Sequence, residues 1–124
     1  MKCYCCSNKT YLDCCKPFLD GVSLPSSAEE LMRSRYSAFC TSDYDYLNQT
    51  ALHQSMQPDD IPTQPYHWIK LTILNKKLGQ KNDSTGTIEF KADFTFDNGF
   101  HTLHEISQFK KISNRWYYTG GVIK

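Results

Sequence analysis

The sequence predicts an α+β chain: a cysteine-rich knuckle, then helices packed on a curved antiparallel sheet of about four strands. Three observations predict it. Five of the six cysteines crowd into residues 3–15. Apolar side chains recur at helical spacing through residues 26–52. From Trp68 onward the period changes to two and holds almost to the C-terminus. Helices followed by strands is the pattern of an α+β domain. The chain is therefore divided into residues 1–20, the knuckle, and residues 21–124, the α+β domain.

Residues 1–20 are nearly devoid of aliphatic side chains and cannot make a core of their own, so a bound metal is the expected substitute. The first helix is announced by Ser26 and Ser27 followed by Glu29 and Glu30, a capping-box signature at either register. Ala28, Leu31, Met32, Tyr36 and Phe39 then form one apolar stripe. Thr41-Ser42-Asp43 ends that helix and caps a short second one through Asp45, Tyr46 and Leu47. Residues 53–65, with Pro58, Pro62 and Pro65, read as a connecting loop.

A first strand runs from about Trp68 to Leu78, with Ile69, Leu71 and Ile73 alternating with Lys70 and Thr72. After a turn at residues 82–86, Ile88, Phe90, Ala92, Phe94 and Phe96 alternate with polar neighbours, the mark of a half-buried strand. Asp97-Asn98-Gly99 signals a hairpin, because Asn-Gly tolerates the positive φ of a type I′ turn. A third strand spans Phe100 to about Ile112. Ser113-Asn114-Arg115 turns it into a fourth, from Trp116 to about Val122. The first helix is expected to lie across the concave, aromatic-rich face of this meander.

Composition narrows the function classes. The 124 residues are 40% hydrophobic and 22% charged, with a net charge of +1. That is ordinary for a globular domain and leaves no basic footprint for nucleic acid. No apolar run approaches the roughly 20 residues of a membrane span. No apolar stretch follows Lys2, so the N-terminus does not read as a signal peptide. A cytoplasmic location follows, and in a reducing compartment a tight cysteine cluster binds metal more readily than it forms disulfides.

Cys3, Cys5, Cys14 and Cys15 supply four thiolates, the number a closed tetrahedral zinc site takes. A one-residue gap presents Cys3 and Cys5 together, and an eight-residue loop returns Cys14 and Cys15 to the opposite side. With every position filled by protein, the site is structural rather than catalytic. An iron–sulfur cluster is the alternative use of four thiolates, although adjacent ligands suit a single small ion better. Free thiols on a frayed tail are the other reading.

The segment CYCCSNKTYLDCC resembles a SEC-C zinc motif, in which Cys3, Cys5, Ser7, Tyr11, Cys14 and Cys15 match and Cys6 stands where the motif has glycine. LMRSRYSAF, WIKLTI, HEISQF and RWYYTGG resemble the YchJ family of bacterial proteins, and with the SEC-C motif they cover the whole length in order. The resemblance implies a cystatin-like cone, the nuclear-transport-factor-two-like fold, with a structural zinc. Two departures accompany it: many members carry a second SEC-C motif after the point where this chain stops at Lys124, and Gly120 stands where the family tends to have aspartate. The motif in the translocation motor SecA docks on the chaperone SecB, which implies a protein partner reached through the zinc motif.

Among the remaining polar residues, Arg35 falls on the apolar stripe, four residues from both Leu31 and Phe39, and a guanidinium there must be paired. Glu105 is its expected partner in a structural salt bridge; the sharper reading is an anion-binding arginine at the mouth of the cone. Arg33, Arg35, His104, Glu105 and Trp68 are the pocket candidates. His104 and Glu105 point to opposite faces of a strand, whereas His101 and Glu105 share one and could form an acid–base pair. Trp116, Tyr117 and Tyr118 read as core and rim aromatics, and Cys40 as a small buried hydrophobe. No catalytic constellation emerges.

The favoured reading is a zinc-containing protein-interaction module. The alternative is a small-molecule-binding or enzymatic cone with a polar pocket around Arg35 and Glu105. The interior discriminates between them: packing by Phe90, Phe94 and Phe96 favours the module, and a cavity holding Arg35 and Glu105 favours the ligand. With its own helix stripe and aromatic meander, the α+β core is expected to stand without the metal.

Overall fold

The computed structural model describes residues 1–52 and 66–124; the expected loop at 53–65 lies outside the described residues. A 3₁₀ turn at Tyr11–Asp13 leads to three helices, α1 (Lys16–Leu19), α2 (Ala28–Thr41) and α3 (Tyr44–Gln49). Four strands follow: β1 (His67–Leu78), β2 (Thr85–Phe96), β3 (Gly99–Ile112) and β4 (Arg115–Ile123). They form one antiparallel sheet in the order β1-β2-β3-β4. Among the described residues no helix is long and apolar enough to cross a membrane.

The caps predicted for α2 and α3 are in place. The Ser27 hydroxyl accepts from the Glu30 amide at 3.1 Å, and the Glu30 carboxylate accepts in return from Ser26, one residue further out, at 2.7 Å. Ser42 closes α2 in the left-handed region at φ 59°. The Asp43 carboxylate then accepts from the Tyr46 amide at 3.1 Å. The start of α2 is tied to the end of β1 by the Ala28 amide donating to the Gly79 carbonyl at 2.9 Å. That approach needs glycine: a Cβ on Gly79 would lie 2.8 Å from the Cβ of Ala28.

Both tight hairpins carry positive φ at their two turn residues, Asp97-Asn98 (52° and 63°) and Ser113-Asn114 (52° and 66°). This is the type I′ arrangement. The first turn sits one residue earlier than an Asn-Gly reading places it, since Gly99 already pairs with Phe96.

Bulges correct the alternation read for β1. Trp68 pairs with Phe94 and Lys70 with Asp93, which makes Ile69 an extra residue; Leu74 is extra in the same way. Both are pushed outward, Ile69 to 53% exposure and Leu74 to 46%. The bulge at Ile69 is what allows Trp68 and Leu71 to face the same side, despite being three residues apart. A further bulge separates Gln108 and Phe109 on the β4 side, beside Gly120 at φ 135°. Such bulges bend the strands, and the bent sheet wraps α2.

The buried face of α2 (Ala28, Leu31, Met32, Tyr36) meets Leu71, Ile88, Phe90, Ala92, Phe109 and Trp116 in one core. Phe39, expected on the stripe, is 37% exposed and lies against Trp68 with ring centroids 6.0 Å apart. Beyond α3, Ala51 forms a parallel bridge with Tyr118, and the Leu52 amide donates to the Tyr118 carbonyl at 2.9 Å. This covers part of the β4 edge.

Candidate metal centre and cone cavity

The chain entering the knuckle is closed by an antiparallel bridge between Lys2 and Thr10, with the Cys3 amide donating to the Lys9 carbonyl at 2.8 Å. That closure turns Cys3 and Cys5 inward. The 3₁₀ turn and the start of α1 deliver Cys14 and Cys15 from the other side. All four sulfurs lie within 4.8 Å of one another. Cys5 and Cys14 are 3.6 Å apart and Cys14 and Cys15 3.9 Å. A tetrahedral ion with bonds of about 2.3 Å needs sulfur pairs roughly 3.8 Å apart, so the four sulfurs fit one metal ion.

Cys3, Cys5 and Cys15 are buried and Cys14 is half-buried. The thiols compete for protons. A hydrogen bond with Cys15 pulls Cys5 down to about 4, against the opposing effect of burial, while the same bond pushes Cys15 up. Burial raises Cys14 to about 11. A dication would displace the remaining protons and settle the crowding. The Ser7 hydroxyl lies 3.2 Å from the Cys14 sulfur, positioned to donate to a thiolate.

Cys6 has φ 64°, which explains why the related motif has glycine here. Its sulfur points away from the four, towards the Leu71 amide at 3.5 Å.

Arg33, expected as a pocket candidate, serves the knuckle instead. Its Nη1 donates to the Cys5 carbonyl at 2.7 Å and its Nε to Glu29 at 2.9 Å. Glu29 also holds Lys76 of β1 at 2.6 Å. The Cys3 sulfur lies 3.6 Å from the Ser37 hydroxyl of α2. Knuckle, helix and first strand are thus linked through polar contacts.

The second feature is a cavity of about 270 Å³ between α2 and the sheet. Tyr36, Phe39, Tyr66 and Trp68 line one side, and Leu103, Glu105, Ser107, Phe109 and Tyr118 the other, with Arg35 among them. Phe90 lines the space rather than plugging it, and Phe94 and Phe96 pack with Tyr66 at its edge.

Arg35 and Glu105 both reach the cavity but do not form the salt bridge expected of them. Arg35 Nη1 donates to the Leu47 carbonyl at 2.8 Å and to the Thr50 hydroxyl at 2.7 Å, both at the end of α3. Its guanidinium lies 4.6 Å over the Tyr118 ring. The C-terminus of α3 offers carbonyls to a cation, which satisfies the charge without a carboxylate. Burial pushes this arginine down to about 10, with Tyr118, Tyr46 and Glu105 acting in the opposite direction. Glu105 Oε2 accepts from Ser107 and, at 3.2 Å, from the Tyr118 hydroxyl. Burial and that carboxylate raise Tyr118 to about 12.

His104 is not a pocket residue. It faces the other side of the sheet and lies 2.7 Å from Glu89. His101 stacks on Phe94 at 5.3 Å and makes no pair with Glu105. Cys40 is half-buried against the core, and burial raises it to about 12. Among the pocket candidates, then, Trp68, Arg35 and Glu105 come together, and Arg33 and His104 do not.

Sequence reasoning missed Tyr118, Ser107 and Thr50. Ser107 was open to detection, since it shares the inward parity of Leu103, Glu105 and Phe109 and is a polar residue on an apolar face. Thr50 gave no signal, because its role depends on how α3 docks.

A family model described as "YchJ, middle NTF2-like domain" matches residues 27–121. The chain is 41% identical to a UPF0225 protein of Sodalis glossinidius, covering 96% of this chain and 81% of that one. A UPF0225 protein of Geobacter sulfurreducens is 34% identical, covering 96% and 77%. The solution structure of a SEC-C motif containing protein from Rhodopseudomonas palustris superposes with a TM-score of 0.81 at 34% identity, covering 98% of each chain. The crystal structure of a SEC-C motif containing protein from Psychrobacter arcticus gives 0.74 at 29% identity, covering 95% of this chain and 75% of that one.

Proposed function

The chain belongs to the YchJ family, and on that premise we propose that it is a small cytoplasmic ligand-binding protein whose cone is braced by a structural zinc ion. The observation that carries this reading is the cavity itself: an aromatic-walled space holding Arg35 and Glu105. Concave, mostly apolar sites with a few convergent polar groups are where small molecules bind. Zinc is favoured for the knuckle because four converging thiolates leave no open coordination position and suit a tetrahedral ion. The ion then has no part in the pocket chemistry.

A second reading, a protein partner docking on the knuckle, draws support from the exposed Tyr4 and Leu12 on its surface. It is weaker, because two exposed apolar side chains are common on any surface.

A fragment screen followed by amide chemical shifts tests the main reading. Hits should perturb residues 35–36, 68, 105–107 and 118 together. Perturbations confined to the knuckle, with the cavity residues silent, would move the function to a protein-docking surface.

A further inference from the structure

We infer, on the reading that the cavity binds a small molecule, that its ligand is a small aromatic zwitterion whose acidic and basic groups are separated by about one ring. Three features of the cavity lead there.

The first is size and wall. The space of about 270 Å³ is lined by Tyr36, Trp68, Phe90, Phe109 and Tyr118 among others. Drug-sized ligands occupy cavities of roughly 300–1,000 Å³, so this one suits a ring or two with short substituents. Flat aromatic walls favour a flat ligand, stacked or edge-on.

The second is the state of the two charges. Among the described residues, both hydrogen bonds of the Arg35 guanidinium are made by Nη1. Nε and Nη2 remain for a ligand, and they form the forked edge that matches a carboxylate. Among the described residues, both bonds to Glu105 fall on Oε2. Oε1 remains as an acceptor for an ammonium or another donor. Each charge is anchored on one side and open on the other.

The third is their spacing. Arg35 and Glu105 make no ion pair with each other; Tyr118 contacts both. The guanidinium carbon is 4.6 Å from the ring centroid, and Glu105 Oε2 is 3.2 Å from the ring's hydroxyl. Both charges therefore touch one phenol ring, the guanidinium at its face and the carboxylate at its hydroxyl edge. A ligand that stacks within the cavity and reaches both must carry its own opposite charges at a similar separation. A purely anionic ligand would meet the unneutralised Glu105 carboxylate, and a purely cationic one would meet Arg35. Like-charge encounters in a partly desolvated site are strongly unfavourable.

The test uses four probes built on one benzene ring: para-aminomethylbenzoate, benzoate, benzylamine and benzyl alcohol. Each is titrated into the full-length protein and followed by amide shifts and tryptophan fluorescence. The zwitterion should bind at least about tenfold more tightly than any of the other three. In Glu105→Gln that advantage over benzoate should disappear, and in Arg35→Lys the advantage over benzylamine should shrink, the fork being lost while the charge is kept. Equal binding of all four probes at the cavity residues would overturn this inference and leave the ligand-binding reading standing. No probe perturbing the cavity residues would overturn both. The wild-type comparison stands on its own should either variant fold poorly.

Discussion

At the scale of single residues, the knuckle separates ligand from bystander by backbone as well as by sulfur. Cys3, Cys5, Cys14 and Cys15 converge, whereas Cys6 occupies a left-handed turn at φ 64° with its sulfur turned to β1. A non-glycine residue pays roughly 1–2 kcal/mol for that conformation, so the cysteine is tolerated there rather than required. Cys6→Gly should keep one metal ion per chain and change stability by no more than about 1 kcal/mol, because the relief of strain is offset by the entropy of glycine. Cys5→Ser should release the metal. Elemental analysis alongside denaturant melts checks both, and metal lost from Cys6→Gly would reassign the ligands. Arg35 teaches the complementary lesson. Its place on the apolar stripe was legible from spacing alone, and so was its need for a partner. The partner itself was not, because hydrogen bonds to the Leu47 carbonyl and Thr50 depend on how two helices dock.

At the scale of elements, a second contact supports that docking. The Ser34 hydroxyl is fully buried, donates to the Leu31 carbonyl at 2.8 Å and lies 2.6 Å from the Tyr46 hydroxyl of α3. It fastens α3 to α2, and with α3 the Leu47 carbonyl and Thr50 that hold Arg35. Ser34→Ala leaves the Tyr46 hydroxyl buried without this partner and should cost about 1–3 kcal/mol. Tyr46→Phe should cost less, since Ser34 keeps the Leu31 carbonyl, and the double variant should recover part of the Ser34→Ala loss. Thermal melts of the three variants decide it; strictly additive losses would mean the two hydroxyls do not depend on each other.

The strands were the most legible part of the fold. Residues 85–118 alternate, punctuated by Asp97-Asn98 and Ser113-Asn114, and the register follows from the turns as far as the bulge at Thr119. β1 was misread at one point for a physical reason. Ile69, Leu71 and Ile73 continue the alternation in sequence, and only pairing against β2 reveals that Ile69 is extruded so that Trp68 can face the cavity. Bulges leave the composition of a strand unchanged while inverting its faces.

At the scale of the whole molecule, the sequence suggested a core that stands without its metal, and the packing argues for a joint one. Cys3, Cys5 and Cys15 belong to the same buried cluster as Leu31, Met32, Tyr36, Ile88 and Phe90. Arg33 adds a hydrogen bond from α2 to the Cys5 carbonyl, and through Glu29 the same network reaches Lys76 of β1. Without the ion, only weak thiol hydrogen bonds hold the four sulfurs at contact distance, and the face of α2 that they cover packs less firmly. An ion present at a thousandfold above its dissociation constant contributes about 4 kcal/mol by mass action. For a chain of this length that corresponds to a fall of roughly ten degrees or more in the melting midpoint when a strong chelator is added at neutral pH. The transition should remain a single cooperative one. Hydrogen exchange should locate the weakening: amides of α2 from 31 to 37 should exchange faster in the metal-free protein, while the β2–β3 ladder, whose partners are all within the sheet, keeps its protection. Exchange that quickens only in residues 1–20, with α2 and the melting midpoint unmoved, would make the knuckle an appendage and return the α+β domain to independence.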